Sequence, residues 1–175
     1  MPNISNVQAN IPLVKSSYRR FVSMGEGAKG DDFRMTIAGY SDLEFLVQIT
    51  QMPEMKREMV EGFGPHGVQF KQQGKFLNAV DVPITFKEVV SGKALEALRD
   101  WVKNKYYLEV MLGLISESQE QSPVSATVRM EDCWIEIDGI DLSVEDGTTL
   151  VKPAGTLHTN WVSWLDDDQD DLSWE

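Results

Sequence analysis

The residues with the spacing for chemistry are mostly carboxylates. Glu131-Asp132, Glu136 with Asp138, and Asp141 lie within eleven positions of one another. Two carboxylates about 5 Å apart in a cleft would hydrolyse a glycosidic bond with retention. Alternate acids on a strand share a face, and such a face is ordinarily the solvated one. Asp166-Asp167-Asp168 lacks the D-x-[DN]-x-[DN]-G pattern of a calcium loop. The two histidines are too few for a histidine-rich metal site. His66, between Pro65 and Gly67, reads as a turn residue, and His158, beside Asn160, as a satisfied strand residue. The single cysteine, Cys133, excludes an internal disulfide and a multi-cysteine zinc site, and beside Trp134 it reads as a small core residue. No G-x-x-x-x-G-K-[ST], G-x-S-x-G or H-E-x-x-H occurs. The chain offers no reaction, and the expectation is a non-enzymatic assembly role with no cofactor and no metal.

The charge supports that direction. Sixteen basic and 28 acidic side chains among 175 residues give −12. A surface of that sign repels nucleic acid and anionic membrane. Residues 1–32 carry +1 and residues 166–175 carry −6, leaving −7 between them. The acidic end reads either as a solvated tail or, because it holds Leu172 and Trp174, as an electrostatic contact with another subunit. No apolar run approaches the roughly 20 residues of a spanning helix, and Met1 to Asn10 shows no signal-peptide pattern.

The elements that would position these residues are mainly strands. Residues 1–32 show no sustained period and read as an arm, with Lys15, Arg19 and Arg20 flanking Tyr18 and Phe21. Phe33, Met35 and Ile37, then Phe45, Val47 and Ile49, alternate with polar residues around Gly39-Tyr40-Ser41-Asp42, which predicts a hairpin. Val80, Val82, Ile84 and Phe86 keep the period of two, with Pro83 marking an edge or a bulge. Tyr106, Leu108, Val110, Leu112 and Leu114 form another apolar face. Val124, Ala126, Val128 and Met130 give way to Cys133, Ile135 and Ile137, a parity change that predicts a β-bulge. Short strands are expected at Ile140–Val144, Thr148–Val151 and Thr156–Leu165. One helix is expected over 91–104, capped by Ser91, with Leu95, Leu98, Trp101 and Val102 on its apolar face, lying as a lid on the sheet.

Gln51 to Lys75 shows no clear period, yet holds Met52, Met55, Met59, Val60, Phe63, Val68 and Phe70. Met52, Met55 and Met59 fit one helical face for two turns. Lys56, Arg57, Glu58 and Glu61 add both signs of charge. The segment reads as a long loop that packs either against another protein or back on its own sheet. The expected fold is mainly β (α+β), a curled antiparallel β-sandwich or barrel with one flanking helix.

Two stretches carry a family resemblance. Phe33-Arg34-Met35-Thr36-Ile37-Ala38-Gly39-Tyr40 through Phe45-Leu46-Val47 leads into Met52-Pro53-Glu54-Met55 and Arg57-Glu58. Asn78-Ala79-Val80-Asp81-Val82-Pro83-Ile84-Thr85-Phe86 precedes a helix ending in Asp100-Trp101. Over roughly residues 33–165 this resembles the tail tube proteins of contractile bacteriophages, whose fold the type VI secretion tube protein shares. In those proteins a Leu-Pro-Gly type segment often begins the loop; here Met52-Pro53-Glu54 stands there, without the glycine. The resemblance implies hexameric rings that stack into a hollow conduit for DNA, inside a virion tail assembled in the host cytoplasm. Partners would be further copies, sheath and baseplate proteins, with no membrane.

Carried onto this chain, residues 51–75 become the stacking loop, with Met52, Met55, Lys56, Arg57, Glu58, Met59 and Phe63 as contacts. Residues 1–32 become an inter-subunit arm through Lys15, Tyr18, Arg19, Arg20 and Phe21. Glu109, Glu131, Glu136 and Asp138 become candidate lumen acids that repel passing DNA. The alternatives are a type VI secretion tube, a baseplate or terminator protein of the same fold, or a carbohydrate-binding or glycosidase β domain, which the acidic pairs and five tryptophans permit.

Overall fold

The structure is a computed structural model that describes residues 10–25, 27–115, 125–145 and 147–164, with backbone only at 125 and 126. The chain divides into two units, Met1–Asp31 and Asp32–Glu175. Val124, Leu165 and the acidic stretch 166–175 lie outside the described residues.

The first unit is not an aperiodic arm. It holds a helix, α1, at Ile11–Val22. Asn10 caps it, its Oδ1 accepting from the Leu13 N–H at 3.2 Å. Pro12 sits in the first turn, where a missing N–H costs nothing, and Arg19 and Arg20 occupy the last turn, where cations meet the negative end of the helix dipole. At 3.6 residues per turn, Ile11, Val14, Tyr18, Phe21 and Val22 fall on one side, bordered by Lys15 and Arg19. None of its residues is buried.

Among the described residues the second unit has nine strands: β1 (Phe33–Ile37), β2 (Val47–Thr50), β3 (Lys56–Phe63), β4 (Gln69–Leu77), β5 (Val80–Phe86), β6 (Leu108–Leu114), β7 (Ser125–Ile137), β8 (Ala154–Thr159) and β9 (Trp161–Trp164). Seven form an antiparallel sheet in the order β1-β6-β7-β8-β5-β2, with β9 also on β7; β3 and β4 pair only with each other. The large sheet curls into a nearly closed barrel around Met35, Ile84, Phe86, Val110, Leu112, Met130 and Leu157.

The expected β1–β2 hairpin does not form. Gly39, at φ +81°, turns the chain, and Ser41–Leu46 coils into a 3-10 turn that buries Leu43 and leaves Phe45 80% exposed. The two strands therefore separate: β1 pairs with β6 and β2 with β5. Pro83 is tolerated for a local reason. The Phe86 N–H faces β8 and the Lys87 N–H faces β2, so by alternation the Pro83 nitrogen points to the β2 side. There β2 has already ended, its last register pair being Thr50↔Ile84.

The parity change in β7 is the expected bulge. Leu108 pairs with Cys133 and Val110 with Met130, so Glu131 and Asp132 together oppose Glu109. Asp132 takes the left-handed conformation, φ +51°. Val128–Glu131 pairs with β9 and Trp134–Ile137 with β8, so one strand serves both halves of the barrel. Gly155 is required where β8 crosses β7, because a Cβ there would collide with the Glu136 carbonyl oxygen. The 140–144 and 148–151 segments are not strands; Leu142, Val144 and Leu150 are exposed.

The helix α2 runs Lys93–Asn104, and Ser91 does not cap it. The Glu88 carboxylate does, accepting from the Ala94 N–H at 3.1 Å and the Leu95 N–H at 2.7 Å. Ala94, Leu98 and Trp101 are buried, Val102 is half-exposed, and Trp101 meets Tyr40 edge-on at 4.9 Å. Tyr106, expected inside with Leu108, is exposed.

Candidate assembly surfaces

The Gln51–Lys75 segment is a β-ribbon, not a loop with a methionine helix. Lys56 to Phe63 and Gln69 to Leu77 pair antiparallel, with a register shift between Arg57 and Met59. The missed signal lay in Gly64-Pro65-His66-Gly67, a turn between two runs of strand length, with His66 at φ +60°. The Gly64 N–H closes it on the Val68 carbonyl at 2.7 Å. Locally the ribbon holds itself by Glu61–Lys71 at 3.6 Å and by the Arg57 guanidinium 5.8 Å over the Phe76 ring. A Cβ at Gly62 would strike the Phe70 ring, so the glycine gives that ring its seat across the ribbon.

Little else covers the ribbon. Of β3 only Gly62 is partly covered, and Phe63 is 73% exposed. Met55, Met59, Val68 and Phe70 are also exposed, as are Lys56, Arg57 and Glu58. Met52 differs: it is half-buried and packs against the barrel core. A two-stranded hairpin alone is marginal in water, and this one keeps large apolar side chains in solvent.

The five arm residues Lys15, Tyr18, Arg19, Arg20 and Phe21 all lie on α1 and are all exposed. They bring three cations and two aromatic rings to one twelve-residue helix that contains no acid.

The four candidate lumen acids sit outside the barrel, since Val110, Met130, Cys133 and Ile135 beside them point inward. They fall into two groups on either side of the β7 bulge. Glu109 and Glu131 flank Arg129, at 2.9 and 3.8 Å. Glu136 lies 3.5 Å from His158 Nε2, whose Nδ1 meets Asp81 at 2.7 Å. The His158 ring stacks on Trp134 with centroids 4.1 Å apart. Asp138 follows the strand and is exposed. The Asp132 of the sequence pair is spent on the bulge. Among the described residues, no three His, Cys, Asp or Glu side chains gather as metal ligands would.

Cys133 is fully buried, its Sγ 3.4 Å from Thr159 Oγ1. Burial pushes the thiol from its ordinary 9.0 up to about 11, so at neutral pH it is protonated and not nucleophilic. No described helix is long and apolar enough to cross a membrane.

One surface escaped the sequence reading. Between the end of α2 and the second half of β7 runs a groove of about 510 Å³, lined by Val102, Tyr106, Tyr107, Trp134, Glu136 and Ile137. Its residues come from separate parts of the chain, so no local period could reveal it.

The fold is that of tail-tube-like proteins. It matches a chain of the sheath–tube complex of the PVC extracellular contractile injection system, in the extended state, with a TM-score of 0.64 and 9% identity over 83% of this chain and 95% of that one. A chain of the sheath/tube terminator of that system matches with a TM-score of 0.64 and 10% identity, over 79% and 96% of the two chains. The tube-terminating cap of the anti-feeding prophage matches with a TM-score of 0.60 and 15% identity, over 94% and 98%. No protein-family model matches the sequence, and no curated protein matches it.

Proposed function

We propose that this chain, with its tail-tube-like fold, is a structural, non-catalytic subunit of a phage tail tube, forming hexameric rings that stack into a hollow conduit for DNA. The observation that carries this reading is the β3–β4 ribbon, which exposes apolar side chains that the described residues leave uncovered. Stacked rings would supply the cover: a ring closes by heterologous contacts around an axis, and stacking leaves an open-ended assembly. The likeness to tube, terminator and cap chains supports the same reading. Sheath and baseplate proteins are its further partners, and the virion tail, assembled in the host cytoplasm, is its place.

The test is electron microscopy of the purified protein. Six-fold rings and tubes are expected; a protein that remains a single globule at every concentration overturns the reading. Short closed rings that never extend favour the second reading, a terminator, for which the specific observation is that the cap chain aligns with 94% of this chain.

An acidic lumen wall is part of the proposal. DNA carries one negative charge per about 1.7 Å, so a wall of carboxylates repels it and lets it slide. Because Arg129 offsets Glu109 and Glu131, the less neutralised pair is Glu136 and Asp138. Glu136→Gln with Asp138→Asn should slow DNA ejection from otherwise normal tubes; unchanged ejection removes those two residues from the lumen.

A further inference from the structure

At its root the ribbon carries a groove of about 510 Å³. Met55, Met59 and Phe76, all exposed, supply its apolar side chains. Lys56, Arg57 and Lys71 bring three cations to it against one acid, Glu58. Glu54 holds Lys56 at 2.6 Å and Glu61 holds Lys71 at 3.6 Å, but both pairs are exposed, where an ion pair contributes little. Arg57 meets the Phe76 ring and, at 3.5 Å, the Gly74 carbonyl, and forms no ion pair among the described residues. In a chain of −12, residues 54–77 carry four cations and three acids, or +1.

A groove of that composition suits an acidic peptide with an aromatic anchor. Methionines adapt to an incoming ring, a guanidinium binds an indole face, and the cations meet carboxylates. The chain contains such a peptide: residues 166–175 hold six acids and no cation, with Leu172 and Trp174 among them. The other acidic run, 138–146, holds no aromatic residue.

The topology brings the peptide within reach. Strand β8 is antiparallel to β5, with Thr159 opposite Val80. Beyond that pair one strand goes on into β9, and the other leads back into β4 and the ribbon. The Asn78 side-chain amide donates to the Asn160 carbonyl at 2.7 Å where they part. Strand β9 thus carries the chain to Trp164 on the side of the barrel from which the ribbon springs. Eleven residues follow, enough for about 36 Å when extended. The eight residues of β3 rise only about 27 Å.

We infer that residues 165–175 fold back onto this groove of their own chain, Leu172 and Trp174 entering among Met55, Met59 and Phe76 while the carboxylates meet Lys56, Arg57 and Lys71. So short a tether holds the segment at about millimolar local concentration, and a weak contact is enough to fill the groove. A stacking neighbour then has to displace the tail from the root of the ribbon.

The test places benzoylphenylalanine, a photo-crosslinking amino acid, at position 174 of the full chain. Isotopically light and heavy copies are mixed in dilute solution, irradiated and digested. Crosslinks from the peptide carrying position 174 to peptides spanning 55–59 or 71–76 of the same isotope are expected. Crosslinks to α1 or to the barrel, crosslinks joining light to heavy, or none at all overturn the docking. Arg57→Glu with Lys71→Glu should lower the yield about fivefold or more while circular dichroism keeps the barrel signal. An unchanged yield overturns the charge match. Leu172→Ser with Trp174→Ser keeps all six carboxylates and should lower the concentration needed for assembly about twofold or more. An unchanged concentration overturns the covering of the ribbon. The inference goes beyond the tube reading, because the crosslink is read before assembly. Groove crosslinks in a protein that never assembles sink the tube reading alone, and tubes from a chain without them sink this inference alone.

Discussion

The barrel and the ribbon use the same residue types to opposite ends. In β5, Val80, Val82, Ile84 and Phe86 alternate with Asp81, Pro83 and Thr85, and all four are buried. In the ribbon, Met59, Val60, Phe63 and Phe70 are as large, yet all stand in solvent. The difference is not propensity but cover. Strand β5 has neighbours on both edges and the core on one face, whereas among the described residues β3 and β4 have only each other. An apolar strand thus reports side chains that burial would stabilise, and only the fold shows whether the same chain supplies the cover.

The contrast predicts unequal costs. Trp101→Ala should be the most damaging single change, because Trp101 is a large, buried side chain by which α2 packs into the core. Large-to-small core changes of this kind cost about 3–5 kcal/mol, read as a loss of denaturant midpoint in an unfolding titration. A loss below about 1 kcal/mol would mean that α2 is a loose appendage and the division between core and attachment is drawn in the wrong place.

Cys133 sharpens the barrel side of the comparison. Burial holds its thiol near 11 against an ordinary 9.0, opposed by the hydrogen bond to Thr159 and reinforced by Asp132, Glu109 and Glu131 nearby. Below pH 9 the thiol is protonated whether the chain is folded or not, and the stabilisation is fully present. Between pH 9 and 11 the unfolded chain ionises and the folded one does not, so stability falls as pH rises. A span of that size corresponds to about 2–3 kcal/mol. Lysine and tyrosine side chains titrate there too, so the measurement is the difference between the native chain and Cys133→Ala, each unfolded at pH 8 and pH 11. The variant should be weaker at pH 8 but lose less on going to pH 11. Equal losses would mean that the thiol is reached by water.

What was legible in the sequence follows from this physics. Strands with one buried face announced themselves by alternation, and so did the β7 bulge, because one inserted residue flips the parity of everything after it. The helix α2 was visible from Leu98 and Trp101, but its cap was not, since Glu88 reaches it from outside any capping spacing. Helix α1 escaped because its apolar positions are diluted by Ser16, Ser17 and three cations, although Asn10 and Pro12 were legible start signals. The ribbon escaped because alternation fades when neither face is buried: charged and apolar residues share both sides, and Met52, Met55 and Met59 mimicked a helical spacing. The outer-face acids were legible as a group, but their division by the bulge, and the capture of Glu109 and Glu131 by Arg129, depend on which strands lie side by side.

The smallest expected change in stability belongs to the ribbon, where it accompanies a large change in association. Met59→Ser with Phe63→Ser removes two exposed apolar side chains from one side of β3, alternate positions whose cross-strand partners are Gln73 and Gln69. Substitutions at such uncovered sites ordinarily move stability by about 0.5 kcal/mol or less. If a stacked ring buries them, each instead loses an interface contact, and hot-spot truncations cost more than about 1 kcal/mol apiece. Many identical ribbons would act at each stacking plane, so the losses would multiply around such a ring. The variant should therefore melt within a few degrees of the native chain while tube length collapses in electron micrographs. Normal tubes would free the ribbon from any stacking role. A drop in melting temperature as large as that of Trp101→Ala would show instead that the ribbon is buried within its own chain, and the distinction between the two regions would vanish.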